Sequence, residues 1–204
     1  MKLDLEKDLL QSEKPTNKWL TKDTNKEVIR SVSPDVTDVD NLTDEELNTM
    51  AKLIDFVRYS QDDSLNNNEE DLLRPAVGLA APQVGVNKNM FFARFEWDKE
   101  NPEDFEEIAA INPKIISRSS QMIVINDGEG CLSVDEDRDG LVPRSYKIVV
   151  TYYDFLKKKQ IKETLRGYKA IVFQHETEHN HGMLYYDHIN KKDPHHTEKD
   201  WLYL

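Results

Sequence analysis

Two histidines that flank a glutamate late in the chain constrain its fold more than any other feature. His175, Glu176 and His179 form the pattern H-E-x-x-H, and residues four apart on an α-helix lie on one face. Four apolar residues precede the pattern at helical spacing: Leu165, Tyr168, Ile171 and Val172. Gly182 then supplies a C-terminal stop. The pattern predicts an inward-facing helix whose imidazoles reach one metal ion, with Glu176 placed to take a proton from water on that ion.

A catalytic metal site of this kind needs a third ligand from elsewhere. In metzincins it is a histidine six residues after the second one, but here that position is Tyr185. His181 would point to another face of the helix, and His188 lies beyond its predicted end. The lone Cys131 lies in a G-E-G-C-L-S segment, whose glycines suit a loop or an edge strand and let the backbone approach closely. A thiolate with two imidazoles leaves one position open. A lone cysteine is more often a small buried apolar residue, so this assignment depends on the H-E-x-x-H pattern.

A run of small residues forms a third segment of interest at 75–83. Small side chains allow a strand to pack tightly against the active-site helix. Gln83, at the end of the run, offers an amide that could hold a developing oxyanion. Taken alone, the run is a weak signal, and a small-residue strand with a surface glutamine is its ordinary explanation.

The remaining pattern predicts an α+β fold. Thr43 to Glu46 has the capping-box pattern for a helix over 43–60. The residues predicted to face the core from this helix are Leu47, Met50, Ile54 and Val57. Strand-like runs follow at 90–95, 108–111, 114–117, 122–125, 146–155 and 160–165, separated by Asn-Pro, Asn-Asp-Gly and Lys-rich turns. This order predicts a central active-site helix packed against antiparallel sheets, with a polar surface extension at 1–42 and an exposed acidic loop at 61–71.

Charge and hydropathy narrow the function classes. The net charge of -12 argues against non-specific nucleic-acid binding, because a phosphate backbone repels such a surface. The basic run at 157–159 is interpreted as a solvated turn. The N-terminus lacks the apolar segment of a secretory signal, and no run approaches the roughly 18 apolar residues that span a bilayer. We therefore expect a soluble, cytoplasmic protein with no membrane partner.

Together, the three segments resemble the motifs of the peptide deformylase family. That family carries G-x-G-x-A-A-x-Q, E-G-C-L-S and Q-H-E-x-D-H in this order. The chain shows A-V-G-L-A-A-P-Q at 76–83, E-G-C-L-S at 129–133 and Q-H-E-T-E-H at 174–179. The resemblance covers about 74–184, predicted to be the catalytic core of a single domain over 1–204, and is closer to the longer, type II bacterial form.

Four positions depart from the family pattern. Ala76 replaces the first glycine, Glu178 replaces an aspartate, and Thr177 and Asn180 replace aliphatic residues. The departures spare the predicted metal ligands, Glu176 and Gln83. We expect them to alter packing around the site rather than its chemistry.

The resemblance implies hydrolysis of the formyl group from the N-terminal formyl-methionine of new polypeptides, with release of formate. It implies that the two histidines and Cys131 hold a divalent metal, Fe(II) in the cell, with Zn(II), Ni(II) or Co(II) as alternatives. Glu176 would move the protons, while Gln83 and the backbone N–H of Leu132 would hold the oxyanion.

The resemblance also implies a pocket for the methionine side chain and a set of partners. The predicted pocket residues are Val77, Gly78 and Leu79, with Ile171 and Val172 from the helix. Formyl-methionyl nascent peptides are the implied partners. A transient ribosome contact is compatible with them, and the oligomeric state is left open.

Three other readings predict different behaviour. A zincin-type peptidase would cleave internal peptide bonds and tolerate Cys131→Ser. A non-catalytic descendant would bind such peptides without releasing formate. A structural zinc domain normally uses four protein ligands, and the sequence supplies three.

Overall fold

The computed structural model describes residue 4 and residues 7–67, 70–98, 100–101 and 104–204. The remaining positions lie outside the described residues, and they include parts of the predicted extension at 1–42 and of the predicted loop at 61–71. The α-helices are α1 (Lys26–Ile29), α2 (Asp44–Ser60) and α3 (Gly167–His179). The strands are β1 (Gly78–Ala80), β2 (Met90–Glu96), β3 (Phe105–Arg118), β4 (Met122–Val124), β5 (Arg144–Ser145), β6 (Lys147–Asp154), β7 (Lys159–Arg166) and β8 (Leu202–Tyr203). Short 3-10 helices cover Asn17–Trp19, Ala81–Val84 and Tyr185–His188.

A five-stranded antiparallel sheet forms the centre of the fold, with strand order β1-β2-β3-β6-β7. Successive residues of a strand face opposite sides of a sheet, and β2 shows this clearly. Phe92 packs into the cluster that contains the buried face of α2, whereas Phe91 and Phe95 pack into the cluster that contains α3. The sheet therefore lies between α2 and α3. This confirms the predicted α+β class and the predicted packing of the active-site helix against antiparallel strands.

A second, smaller sheet has the order β5-β4-β8. β4 pairs antiparallel with β5, but it pairs parallel with β8, with Ile123 opposite Leu202. The C-terminal residues of the chain are thus anchored next to the strand that leads into the Cys131 segment. Among the described residues, no helix is both long and apolar enough to cross a membrane.

Helix α2 begins as predicted. Thr43 Oγ1 accepts a hydrogen bond from the Glu46 N–H at 3.3 Å, and Glu46 Oε2 accepts one from the Thr43 N–H at 2.9 Å, which completes the capping box. The predicted core residues Met50, Ile54 and Val57 are buried, but the prediction for Leu47 was wrong, because it is 41% exposed. Leu53 and Phe56 are also buried, so the centre of the buried face of α2 lies further round the helix from Leu47 than predicted.

Strand β3 passes through a sequence that predicted a turn. Asn112 and Pro113 lie inside the strand, at a register shift between Ile111 and Lys114. Asn112 has a φ of 53°, and its side chain accepts from the Val36 N–H at 2.7 Å and donates to the Val36 carbonyl at 2.8 Å. The two residues therefore form a β-bulge rather than a turn, since the partner strand β6 continues past them.

Helix α3 starts later than the periodicity predicts. Leu165 belongs to β7, and Gly167 has a φ of 56°, which favours glycine and turns the chain sharply from strand to helix. At the other end, Gly182 has a φ of 70° and follows the helix as predicted. A Cβ at Gly182 would lie 2.4 Å from the carbonyl oxygen of Arg30, so the N-terminal part of the chain packs directly on the end of α3.

We define residues 21–36 as the strap. Its Thr21 N–H donates to the Gln83 carbonyl at 2.8 Å, its Asp23 N–H to the Ser133 carbonyl at 2.8 Å, and its Ser33 N–H to the Asn180 carbonyl at 2.8 Å. Two of its apolar residues, Ile29 and Val36, are buried. This part of the predicted surface extension is therefore held to the fold by backbone hydrogen bonds and by two buried apolar side chains. Only two residues of the strap are both apolar and buried, which is too few to produce a periodic signal in the sequence.

Candidate active site

Three donor atoms converge beside α3. Cys131 Sγ lies 3.4 Å from His179 Nε2, which lies 3.2 Å from His175 Nε2, and the three donors all lie within 4.8 Å of one another. Over the described ranges, no other group of three such side chains comes together in this way. The structure thus brings together the three residues that the sequence suggested, and leaves His181 and His188 outside the cluster.

The donor set fits a divalent transition metal. One sulfur and two imidazole nitrogens suit iron, zinc, nickel or cobalt, and three protein ligands leave a position open for chemistry. Burial lowers the pKa of His179 well below its ordinary value, which keeps the ring in the neutral form that binds metal. Cys131 is also buried, with 4% of its surface exposed.

A buried ion pair orients the first histidine. Glu129 Oε2 lies 2.8 Å from His175 Nδ1, and Arg144 binds both oxygens of Glu129 at 2.8 and 2.9 Å. Burial would raise the pKa of Glu129, but Arg144 and His175 outweigh it and lower the pKa to about 2. Glu129 is therefore a carboxylate that accepts from Nδ1–H and turns Nε2 toward the metal position.

Replacing Glu129 by glutamine should weaken metal binding by about 10- to 100-fold. The amide keeps the shape of the side chain but removes the charge that faces His175 and Arg144. Metal affinity can be measured by competition with a chelator of known affinity. Glu136→Gln, which removes an exposed carboxylate from the same segment, serves as the control. Equal affinities in the two variants would contradict the role assigned to Glu129.

Sequence reasoning missed several residues around the cluster. Arg144 also pairs with Glu178, whose Oε2 lies 2.9 Å from His188 Nε2. Tyr185, at the position where a metzincin would have its third histidine, stacks on His175 with ring centroids 6.3 Å apart. Glu129 is the first residue of the E-G-C-L-S motif, so the motif could have indicated its role. Arg144 lies in no recognisable pattern, and only the fold places it between two carboxylates.

Glu176 faces the cluster without binding it. The side chain is buried, its Oε2 has no hydrogen-bond partner within the part of the chain that the structure describes, and burial raises its pKa to about 7. Gly78 makes room for it, since a Cβ there would lie 2.4 Å from Glu176 Oε1. The small residue of β1 thus permits the tight strand-to-helix packing that the sequence predicted.

Gly78→Ala should lower kcat by about 10²-fold, because the added methyl group must displace the Glu176 carboxylate by about 1 Å. Metal content should stay unchanged, because Glu176 is not one of the three residues that supply metal ligands. Gly130→Ala is the matched control: it adds a methyl group in the same cleft, where the nearest atoms would be 3.9 Å away. A comparable loss of kcat in both variants would contradict the steric explanation.

Gln83 is held with its amide nitrogen toward the cluster. Its Oε1 accepts from the Ala80 N–H at 2.8 Å, and its Nε2 lies 3.5 Å from Cys131 Sγ. The hydrogen bond from Ala80 fixes which end of the amide is the donor. On the other side, Lys22 donates to the Leu132 carbonyl at 2.8 Å, and the Leu132 N–H has no protein acceptor among the described residues. Gln83 and Leu132, the two predicted oxyanion donors, therefore both lie at the Cys131 segment, and each has an N–H group that can donate a hydrogen bond there.

A cleft of about 460 Å³ opens onto this arrangement. Among the predicted pocket residues, Val77, Gly78, Ile171 and Val172 line the cleft. Leu79 does not. Its side chain is fully buried on the α2 side of the sheet, because strand alternation turns it away from the face that Gly78 occupies. The prediction that the Leu79 side chain lines the pocket is corrected accordingly.

Comparison with known proteins agrees with this geometry. A model of the polypeptide deformylase family matches residues 18–195. The chain belongs to the peptide deformylase family. It is 40% identical over 176 residues to peptide deformylase 2 of Bacillus anthracis, which covers 84% of this chain and 92% of that protein. It is 46% identical over 155 residues to the peptide deformylase of Limosilactobacillus fermentum, with coverage of 75% and 80%. It is also similar to the crystal structure of the Thermotoga maritima peptide deformylase, with a TM-score of 0.62, 29% identity and coverage of 84% and 96%.

Peptide deformylases are metal-dependent hydrolases, and the structure shows what the departures from the family pattern do in this member. Ala76 is buried and lines the cleft. Glu178 forms an ion pair with Arg144, and its Oε2 lies within hydrogen-bond distance of His188 Nε2 at 2.9 Å. Thr177 and Asn180 are buried, and their side-chain polar atoms lack hydrogen-bond partners among the described residues. None of these changes alters the three donors or Glu176.

Proposed function

We propose that the chain removes the formyl group from the N-terminal formyl-methionine of nascent polypeptides by metal-dependent hydrolysis. The observation that carries the proposal is the convergence of the Cys131, His175 and His179 donors with the Glu176 carboxylate at one cleft, where Glu176 Oε2 has no hydrogen-bond partner among the described residues. The family membership and the names of the similar proteins support the same reaction.

The three donors would hold a divalent metal, which when bound lowers the pKa of a water molecule and polarises the formyl oxygen. Glu176 accepts the proton of the attacking water on its free carboxylate oxygen. It then delivers a proton to the amine nitrogen as the C–N bond breaks, so that the products are formate and a free amino group. Its raised pKa suits both transfers near neutral pH.

The oxyanion that develops on the formyl oxygen needs donors that are in place before the reaction. We assign this role to Gln83 Nε2 and the Leu132 N–H. Each belongs to a segment that the strap holds by a backbone hydrogen bond, from Thr21 to Gln83 and from Asp23 to Ser133. Donors fixed in this way stabilise charge without having to reorganise.

The methionine side chain would occupy the apolar part of the cleft. Val77 on one wall and Ile171 and Val172 on α3 supply aliphatic surface there. Gly78 lines the same cleft, and its missing side chain leaves room for the Glu176 carboxylate. A flexible, unbranched methionine suits such a surface. Cytoplasmic location and a transient contact with the ribosome remain predictions.

The thiolate and two imidazoles suit iron, zinc, nickel and cobalt alike, and among these we propose Fe(II) as the metal in the cell. The iron-loaded enzyme should lose activity in air much faster than under anaerobic conditions, since a thiolate on Fe(II) is open to oxidation. The nickel-loaded enzyme should keep its activity equally long in air and under anaerobic conditions. Half-lives of formate release measure this, and equal half-lives of the two forms in air would contradict the prediction.

A formate-release assay on matched formyl-Met and acetyl-Met peptides, with elemental analysis of the same preparation, tests the function. We expect formate from the formyl peptides, very little acetate from the acetyl peptides, and about one metal ion per chain. Binding of formyl peptides without formate release by a metal-loaded preparation would favour a non-catalytic descendant. Cleavage of internal peptide bonds would favour a zincin-type peptidase.

A further inference from the structure

A row of aromatic side chains leads out of the cleft along β2. Tyr168 lines the cleft and is 36% exposed. Its ring contacts Phe95 edge-on at a centroid distance of 6.3 Å, and Phe95 stacks on Trp97 at 5.5 Å with an interplanar angle of 7°. Phe95 is buried, but Trp97 is 48% exposed. The row thus begins at the cleft and ends in an exposed indole.

The wall of the cleft runs in the same direction. β1 pairs antiparallel with β2, with Gly78 opposite Ala93, and the Arg94 N–H donates to the Val77 carbonyl at 2.8 Å. The residues that precede Gly78 therefore extend toward the Trp97 end of β2. Those residues, from Val77 back to Arg74, all line the cleft. A peptide that leaves the cleft along this wall heads for Trp97.

Single exposed apolar residues are common on protein surfaces and need no partner. Trp97 differs because its ring stacks on the buried ring of Phe95. The stacking fixes the orientation of the indole and leaves its other face exposed. The neighbouring charges on α3 and β3 are also paired with each other, since Lys169 Nζ lies 2.7 Å from Glu106 Oε1. The exposed ring thus lies two ring contacts away from the cleft residue Tyr168, and the charges of Lys169 and Glu106 on this flank neutralise each other.

We propose that Trp97 is an outer subsite for an apolar or aromatic side chain of the formylated peptide, several residues after the methionine. The proposal rests on the proposed function and adds a substrate preference to it. An extended peptide rises about 3.3 Å per residue, so each of the two ring-to-ring steps corresponds to about two residues. Trp97 is therefore reached about four residues beyond the side chain that contacts Tyr168.

A peptide series with one phenylalanine tests this. The peptides are formyl-Met followed by six alternating serine and alanine residues, with phenylalanine placed at each of the six positions in turn. For the wild-type chain, kcat/KM should rise by about three- to tenfold when phenylalanine is at one or two of the outer positions. In Trp97→Ala this rise should disappear, whereas formyl-Met-Ala should be hydrolysed at the wild-type rate. Trp97→Phe, which keeps an aromatic face, should retain most of the rise.

The rise is the ratio of kcat/KM for two peptides measured with one preparation. A partly unfolded variant would lower both values equally, so partial unfolding cannot remove the rise. Leu156→Ala, which shortens an exposed side chain in the turn between β6 and β7, is the control and should keep the rise. If the wild-type chain releases formate from every peptide with no positional rise, or if Trp97→Ala keeps the rise, the subsite is overturned and the proposed function stands. If no peptide releases formate, both are overturned.

Discussion

Replacing Glu176 by glutamine should lower kcat for formyl-peptide hydrolysis by about 10²- to 10⁴-fold and leave the metal content unchanged. The amide has the shape of the carboxyl group but cannot accept a proton from water or pass one to the leaving amine. Because the three donor atoms belong to Cys131, His175 and His179, the change removes no ligand. Elemental analysis and single-turnover formate release on the same preparation measure both quantities.

The metal content decides how that result is interpreted. If the variant lost its metal, and the fraction that kept metal still turned over at the wild-type rate, Glu176 would be a structural residue of the site. Glu176→Asp adds a test of geometry. It keeps the charge but withdraws it from the position that Gly78 leaves open, so its kcat should lie between that of wild type and that of the glutamine variant.

Cys131→Ser should lower metal affinity by more than tenfold and abolish activity at metal concentrations that saturate the wild-type chain. A serine hydroxyl stays protonated where a thiol gives a thiolate, so it is a poor ligand for a transition metal. This result would separate the proposed site from a zincin-type peptidase, which would keep both metal and activity because its third ligand lies elsewhere.

Ser133→Ala provides the matched control for Cys131→Ser. Ser133 lies two residues further along the same segment, is buried, and its hydroxyl has no hydrogen-bond partner within the described residues. The alanine variant should keep its metal. If both variants lost their metal, the cause would be disruption of the segment and not the loss of the Cys131 sulfur as a ligand.

The metal cluster could be predicted because its residues carry strong local signals. H-E-x-x-H on a helix fixes the relation of His175 to His179 within a single element, and the lone cysteine left few choices for the third donor. Arg144 had no such signal, since it reaches Glu129 and Glu178 from a separate strand. Pairing between residues far apart in sequence depends on the fold and is not visible as a periodicity.

The errors within secondary-structure elements have equally specific causes. Leu79 was placed in the pocket because its neighbours Val77 and Gly78 belong there, and alternation along β1 then turns it to the other side of the sheet. Leu165 continued the helical spacing by chance, while Gly167 is the residue that ends the strand and starts the helix. Asn112 and Pro113 have the composition of a turn, but the hydrogen bonds of the Asn112 side chain to Val36 stabilise a bulge.

The strap has a consequence for how this protein can vary in evolution. It holds the Gln83 and Ser133 carbonyls through the N–H groups of Thr21 and Asp23, and every amino acid except proline supplies that group. The Thr21 side chain can therefore drift while the spacing between the two positions cannot. Asp23 is more constrained, because its carboxylate also accepts from the Tyr186 hydroxyl at 3.2 Å. In homologous chains we expect substitutions to be frequent at position 21, proline to be missing from both positions, and insertions to fall before residue 21 rather than within 21–23.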